Sequence, residues 1–208
     1  MTAAHQAPEY RYQGVAHSHA HTFLLPTVDR VLDQLQPRTV FDLGCGNGST
    51  SRHLADRFQV CGVDASASGV AQANSAFPHL QLEVGSAYDD LAAKYGRFDA
   101  VVSIEVVEHL IDPRLFARRL FDLVKPGGAA IVSTPYHGYW KNLMLAVTGT
   151  MDRHFTALWD GGHIKFWSVR TLSLLLEEAG FRQLRFHFVG RIPQLARSMI
   201  VVAQRPVE

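Results

Sequence analysis

Val40-Phe41-Asp42-Leu43-Gly44-Cys45-Gly46-Asn47-Gly48-Ser49 decides the fold of this chain. An apolar run meets an acid, then glycines at alternate positions, then residues that start a helix. Glycine admits positive φ and close backbone approach, so amides there can face a ligand laid across the strand end, with the next helix offering its N-terminus.

Outward from that stretch, short apolar runs alternate with helical spacing. Thr22 to Leu35 reads as a helix that stops before Pro37, and Thr39 to Leu43 as a buried strand. Helices are expected at Ser49 to Arg57, Ser66 to about Ser75, Pro113 to Val124 and Ser168 to Ala179; strands at Gln59 to Val63, Leu80 to Val84, Phe98 to Ser103 and Ala129 to Ser133. Strands separated by helices imply a parallel, right-handed α/β sheet of Rossmann-like, doubly wound type. The end differs: Phe181 to Val189 and Ser198 to Gln204 are joined by Gly190 to Arg197, too short for a helical crossover. The expected fold is therefore a seven-stranded sheet, mostly parallel, with an antiparallel C-terminal hairpin.

Composition bounds the function. The chain has 208 residues, 47% hydrophobic and 19% charged, which suits one globular domain over 1–208. A net charge of +1 makes a phosphate-held nucleic-acid partner unexpected. Cys45 and Cys61 have no metal or redox spacing and read as reduced, small core residues of a cytoplasmic protein. Met1 to Gln13 is polar and unlike a signal or transit peptide, and no apolar run approaches the roughly 20 residues that span a bilayer.

Asp64 lies 20 residues after Gly44, at the end of the second strand, where a carboxylate can accept both ribose hydroxyls. Asp42 is awkward beside a pyrophosphate but suits a cationic ligand such as an amino acid's ammonium. Together, Phe41-Asp42-Leu43-Gly44-Cys45-Gly46-Asn47-Gly48 resembles motif I of class I S-adenosylmethionine-dependent methyltransferases, and Asp64 their ribose-binding acid. Gly85-Ser86-Ala87 is similar to the turn flanking the adenine, with Ser86 where the family often has Asp. Asp99 and Lys125-Pro126-Gly127-Gly128 match the family around its fourth and fifth strands, and the resemblance runs from about Thr22 to Gln204. It implies S-adenosylmethionine as cofactor, contacted by Asp42, Gly44, Cys45, Gly46, Asn47, Gly48, Asp64, Ala65, Ser86, Ala87, Ile104 and Glu105. The alternatives are a nicotinamide-binding domain, against which Asp42 and the hairpin stand, and a domain that binds the cofactor without catalysis.

For the acceptor, the informative segment is Ile104-Glu105-Val106-Val107-Glu108-His109-Leu110. As a helix it would set Glu105, Glu108 and His109 on one face, beside the sulfonium. His163 follows in Asp160-Gly161-Gly162-His163. Two carboxylates and two histidines suit Mg2+ or another divalent metal with open positions, which would acidify an acceptor hydroxyl. The pattern resembles ubiquinone-biosynthesis O-methyltransferases, which act on catechol-type hydroxyls, and small-RNA 2′-O-methyltransferases. Carried over, the metal ligands are Glu105, Glu108, His109 and His163. Without a metal, Glu105 meets the cofactor edge or substrate, and His109 or His163 acts as general base. The expected acceptor is a small catechol- or quinol-like molecule; a sugar, a carbon or nitrogen nucleophile or an RNA hydroxyl is the alternative.

Tyr139 to Val147 is apolar and resembles an insertion of the ubiquinone enzymes. Residues 136–167 thus read as a substrate-side insertion or lid, with Tyr139 to Val147 a pocket wall or a peripheral membrane contact. Phe155, Trp159, Phe166 and Trp167 add aromatic walls or core. Residues 1–21 are expected to cover the cofactor, with Tyr10, Arg11 and Tyr12 near its carboxylate. The histidines of His17-Ser18-His19-Ala20-His21 fit that cover, or solvent, better than a metal cluster.

Overall fold

A computed structural model describes residues 12, 14–15 and 19–207; Tyr10, Arg11, His17 and Ser18 lie outside them. The elements run α1 (His21–Leu35), β1 (Thr39–Leu43), α2 (Ser49–Ala55), β2 (Gln59–Asp64), α3 (Ala67–Ala76), β3 (Gln81–Val84), α4 (Leu91–Tyr95), β4 (Phe98–Ile104) and α5 (Pro113–Leu123). There follow β5 (Val124–Pro135), α6 (Tyr139–Val147), α7 (Met151–Phe155), α8 (Val169–Ala179), β6 (Arg182–Val189) and β7 (Ser198–Gln204). The caps follow local chemistry: the Ser66 hydroxyl accepts from the Gly69 amide, the Asp112 carboxylate from the Leu115 amide, and Ser168 forms a capping box with Thr171.

The seven strands lie in the order β3-β2-β1-β4-β5-β7-β6. Order reverses between β1 and β4, so their carboxyl ends open a crevice. The expected hairpin is present with one difference: it does not simply extend the edge. β7 inserts between β5 and β6 and is antiparallel to both, so β6 runs with the first five strands. The α8 crossover delivers β6 far enough out to leave that gap.

Alternation along the strands builds two cores. Phe41, Val101, Ala130, Val132, Met199 and Val201 face α5 and α8, against Phe116, Leu120, Leu172, Leu176 and Phe181. Val40, Ala100, Val102, Ile131, Ile200 and Val202 face α1, against Leu24, Val28, Val31 and Leu32. The product is a three-layer sandwich in which the period-2 pattern serves both faces. α6 and α7 stand outside it and bury no residue. Among the described residues no helix is long and apolar enough to cross a membrane.

Candidate functional site

The glycine loop turns from β1 into α2 with φ of +92°, +52° and +76° at Gly44, Gly46 and Gly48. Two of these glycines also have packing reasons. A Cβ on Gly44 would sit 2.4 Å from a Val106 methyl, and one on Gly48 2.8 Å from Ala73. Gly46 differs: a Cβ there would meet the Tyr12 hydroxyl at 2.4 Å. The segment carrying Tyr12 is tied down beside the loop, because Asn47 Nδ2 donates to the Gly14 carbonyl (2.6 Å) and Gln72 Nε2 to the Tyr12 carbonyl (3.0 Å). Of the alternating histidines, His19 meets an Arg197 guanidinium nitrogen (2.7 Å) and His21 the Thr50 hydroxyl (3.0 Å).

Asp64 ends β2 and organises the crevice. One carboxylate oxygen accepts the Gly46 amide (2.8 Å) and the other the Ser66 amide (2.7 Å). A carboxylate has about four lone-pair sites, and at the end of β2 this one faces the crevice where a ribose would lie. Asp42 is buried and accepts the Ser51 hydroxyl at 2.6 Å. Burial pushes its carboxyl up to about 7, against the Ser51 bond that lowers it, and the nearby Asp64 charge adds to the rise. The bond of Asp42 to Ser51 ties β1 to the first turn of α2 and so braces the glycine loop between them. Cys45 is buried and its thiol is raised far above its ordinary range by burial, which makes it an inert filler. Ala65 is exposed at the β2 end, and Ile104 ends β4 buried. Ser86 and Ala87 occupy the turn after β3, where the Ser86 amide donates to Asp89 (2.8 Å) and the Ser86 hydroxyl accepts the Tyr88 amide (3.2 Å).

The segment after β4 is not the expected helix. Glu105 has φ of +55°, and only Val107–His109 form a helical turn, of 3-10 type. A non-glycine residue in the left-handed region costs on the order of 1 kcal/mol or more, and here surrounding bonds impose it. The Glu105 amide donates to the Ser133 hydroxyl (3.0 Å), the Ser133 hydroxyl donates to Oε1 (2.8 Å), and the Ser198 hydroxyl donates to Oε2 (3.3 Å). The turn thus ties Glu105 to β5 and β7, near enough to Glu108 for their charges to interact. Burial raises its carboxyl to about 7 despite those bonds and the Lys141 charge.

Glu108, His109 and His163 converge, with one ligand atom from each within 4.8 Å of the others. Three of the four ligands expected from the sequence therefore meet, and Glu105 does not join them. Glu108 is 1% exposed, and neither carboxylate oxygen has a hydrogen-bond partner. Burial, then the Glu105 charge, holds its carboxyl well above the usual range. His109 Nδ1 faces the Gly161 and Gly162 carbonyls at 2.9 and 3.2 Å. Only a protonated nitrogen can bond a carbonyl, so Nδ1 carries the hydrogen and Nε2 keeps its lone pair. His163 Nε2 lies 4.0 Å from Glu108 Oε1, too far to hydrogen-bond, and burial, with His109 next, lowers its imidazole to about 4. The 160–166 loop is pinned at this spot because the Ile164 and Lys165 amides both donate to the Glu108 carbonyl (2.9 Å each).

A cavity of about 620 Å3 next to His163 is lined by Lys141, Met144 and Leu145 from the expected wall segment and by Phe166, together with His137, His154 and Arg191, which sequence reasoning did not single out. The available signal was position: His137 follows the carboxyl end of β5, where such sheets bind ligands. Trp167 proves to be core, and Phe155 and Phe166 wall His137 at ring-centroid distances of 5.7 and 5.0 Å.

A family model described as a methyltransferase domain matches residues 16–185. This chain belongs to that family. The chain is 36% identical over 123 residues to the ubiquinone biosynthesis O-methyltransferase of Bradyrhizobium diazoefficiens, a match covering 58% of this chain and 48% of that one. It is 35% identical over 151 residues to the trans-aconitate 2-methyltransferase of Deinococcus radiodurans, covering 70% and 55%. The matched stretches thus span about half the length of those curated relatives. Among solved structures it is similar to the methyltransferase domain of bacterial CtHen1-CN, with TM-score 0.64, 27% identity and coverage of 86% and 96%. The fold is also that of the magnesium protoporphyrin IX methyltransferase of Synechocystis PCC 6803, solved with bound S-adenosylhomocysteine, with TM-score 0.65, 21% identity and coverage of 86% and 82%. The sheet order and the methyltransferase family agree on a class I S-adenosylmethionine-dependent domain.

Proposed function

We propose that this chain methylates a hydroxyl of a small catechol- or quinol-like acceptor, with S-adenosylmethionine as donor and a divalent cation held by Glu108, His109 and His163. The observation that carries the acceptor half is the convergence of those three side chains. Their chemistry fits a cation: Glu108 is a buried carboxylate with two unpartnered oxygens, and His109 presents a lone pair fixed by its carbonyl contacts. Two imidazoles and one carboxylate suit a transition ion such as Mn2+ better than Mg2+, which prefers oxygen donors. Three protein ligands would leave positions open for an acceptor.

S-adenosylmethionine supplies an electrophilic methyl on a sulfonium leaving group. A divalent cation supplies Lewis-acid acidification of a hydroxyl. The chain's own part is positioning. Asp64 and the glycine loop bind the adenosyl half, and Asp42 braces that loop through its bond to Ser51. Glu105, locked by Ser133 and Ser198, would limit where the methionine end lies. The acceptor oxygen forms its bond to the methyl carbon as the carbon–sulfur bond breaks, the bonding pair stays on sulfur, and the hydroxyl proton leaves to a base. His163, kept neutral by burial, is the base of a cation-free version of the same site.

The support for a hydroxyl acceptor is likeness to ubiquinone biosynthesis O-methyltransferases; relatives named for trans-aconitate and norajmaline leave carboxylate and nitrogen acceptors as rivals. A cytoplasmic location with peripheral membrane contact through Tyr139 to Val147 belongs to the same proposal. The test is transfer of labelled methyl to a catechol panel with and without chelator, together with Mn2+ binding by calorimetry. Turnover lost with chelator, and Mn2+ binding lost in Glu108→Gln, are expected. Undiminished turnover and no Mn2+ binding would remove the cation and leave His163 as base.

A further inference from the structure

The cavity beside His163 is unusual in its charge. It is walled by Lys141 from α6, Arg153 and His154 from α7, His137 after β5, and Arg191 and Arg197 from the β6–β7 turn. No Asp or Glu lines it. Among the described residues, Lys141, Arg153, Arg191 and Arg197 make no ion pair with a carboxylate. Scattered surface cations need no partner, since water solvates them. Here Lys141 is half-buried, and its ammonium is lowered to about 8 by burial first and Arg191 second. The Glu105 charge and the Arg197 carbonyl, which accepts from Lys141 Nζ at 3.3 Å, offset only part of that crowding. Met144, Leu145, Leu195 and Phe166 supply an apolar wall to the same space.

At about 620 Å3 the cavity has the size of a small-molecule site. Its lining includes His163, one of the three converging groups, so a molecule seated there would reach them. Resting on the methyl-transfer reading, we propose that the acceptor is an amphipathic small molecule bearing an anionic group, carboxylate or phosphate, which docks against Lys141, Arg153 and Arg191 and turns its hydroxyl toward His163. Charge-assisted bonds to such an anion are stronger than neutral ones, and partial burial shields them from salt. This makes charge on the acceptor a condition of specificity.

The test measures binding, so it does not depend on turnover. Protein saturated with S-adenosylhomocysteine is titrated by calorimetry with 3,4-dihydroxybenzoate, with 3,4-dihydroxybenzylphosphonate and with neutral 3,4-dihydroxybenzamide. At least one anion is expected to bind tenfold or more tighter than the amide, and whichever is tighter identifies the anion. The preference should shrink to about twofold in Lys141→Gln and Arg191→Gln, whose affinity for S-adenosylhomocysteine stays that of wild type, which also shows that both variants fold. Equal binding of all three probes, no binding of any, or a preference that survives both substitutions would overturn the proposal, as would capture by phosphatidylglycerol vesicles alone. Loss of S-adenosylhomocysteine binding by the wild type would instead bring down the methyl-transfer reading, and this proposal with it. Methylation of the amide as fast as the acid would leave that reading standing and sink this one.

Discussion

Asp42 is a carboxyl at about 7 inside the sheet, where its ordinary value is near 4. The folded state therefore holds a proton that the unfolded chain has released. Stability from this group is whole below about 4 and is lost as pH rises through about 7. The ligand-free protein is expected to lose about 1 kcal/mol between pH 6 and 8 from this source. Thermal melts across that window check it: Asp42→Asn should flatten the fall, and an unchanged slope would contradict the assignment. Gly46 gives a second expectation. Gly46→Ala places a methyl against Tyr12 at a φ of +52°, so cofactor affinity should drop at least tenfold. Tyr12→Ala on that background should recover part of it by calorimetry, the φ penalty remaining. Asp42, Asp64 and the glycines were legible in the sequence because strand ends and turns fix them locally. Glu105 was not: its left-handed turn is imposed by Ser133 and Ser198, which are distant in sequence.

At the scale of elements, α6 is the exception to the sandwich. It buries none of its residues, with Tyr139 73%, Trp140 60% and Val147 74% exposed. Apolar groups standing in water beside a cationic cavity fit an interfacial surface. Co-sedimentation with anionic vesicles should fall several-fold in the double variant Trp140→Ser and Val147→Ser, with S-adenosylmethionine affinity unchanged; equal sedimentation would leave α6 as a lid. The helical face expected at Glu105 to Leu110 shrank to one 3-10 turn, yet Glu108, His109 and His163 still met. The 160–166 loop accounts for that, since its amides bond the Glu108 carbonyl and its glycine carbonyls hold His109. No spacing rule reveals such a loop contact. The basic cavity was equally hidden, because α6, α7 and the β6–β7 turn meet only in the folded chain.

For the whole molecule, the short apolar runs read as strands carry both cores, and the last hairpin separates this sheet from a plain dinucleotide-binding one. The position of β7 between β5 and β6 was beyond the sequence, since adjacent strands usually extend a sheet in order. Phe181, fully buried before β6, packs edge-to-face on Phe121 at 5.1 Å. Phe181→Ala should cost about 3–5 kcal/mol in denaturant unfolding, and a loss below about 1 kcal/mol would mean that this edge of the core is loosely packed.

The central claim is that S-adenosylmethionine lies across the ends of β1 and β2. Calorimetric titration of wild type and Asp64→Ala tests it most directly. The wild type should bind one equivalent saturably, and Asp64→Ala should bind at least tenfold more weakly, having lost the ribose acceptor and left the Gly46 and Ser66 amides without theirs. Absence of binding by the wild type, or equal binding by both proteins, would contradict it.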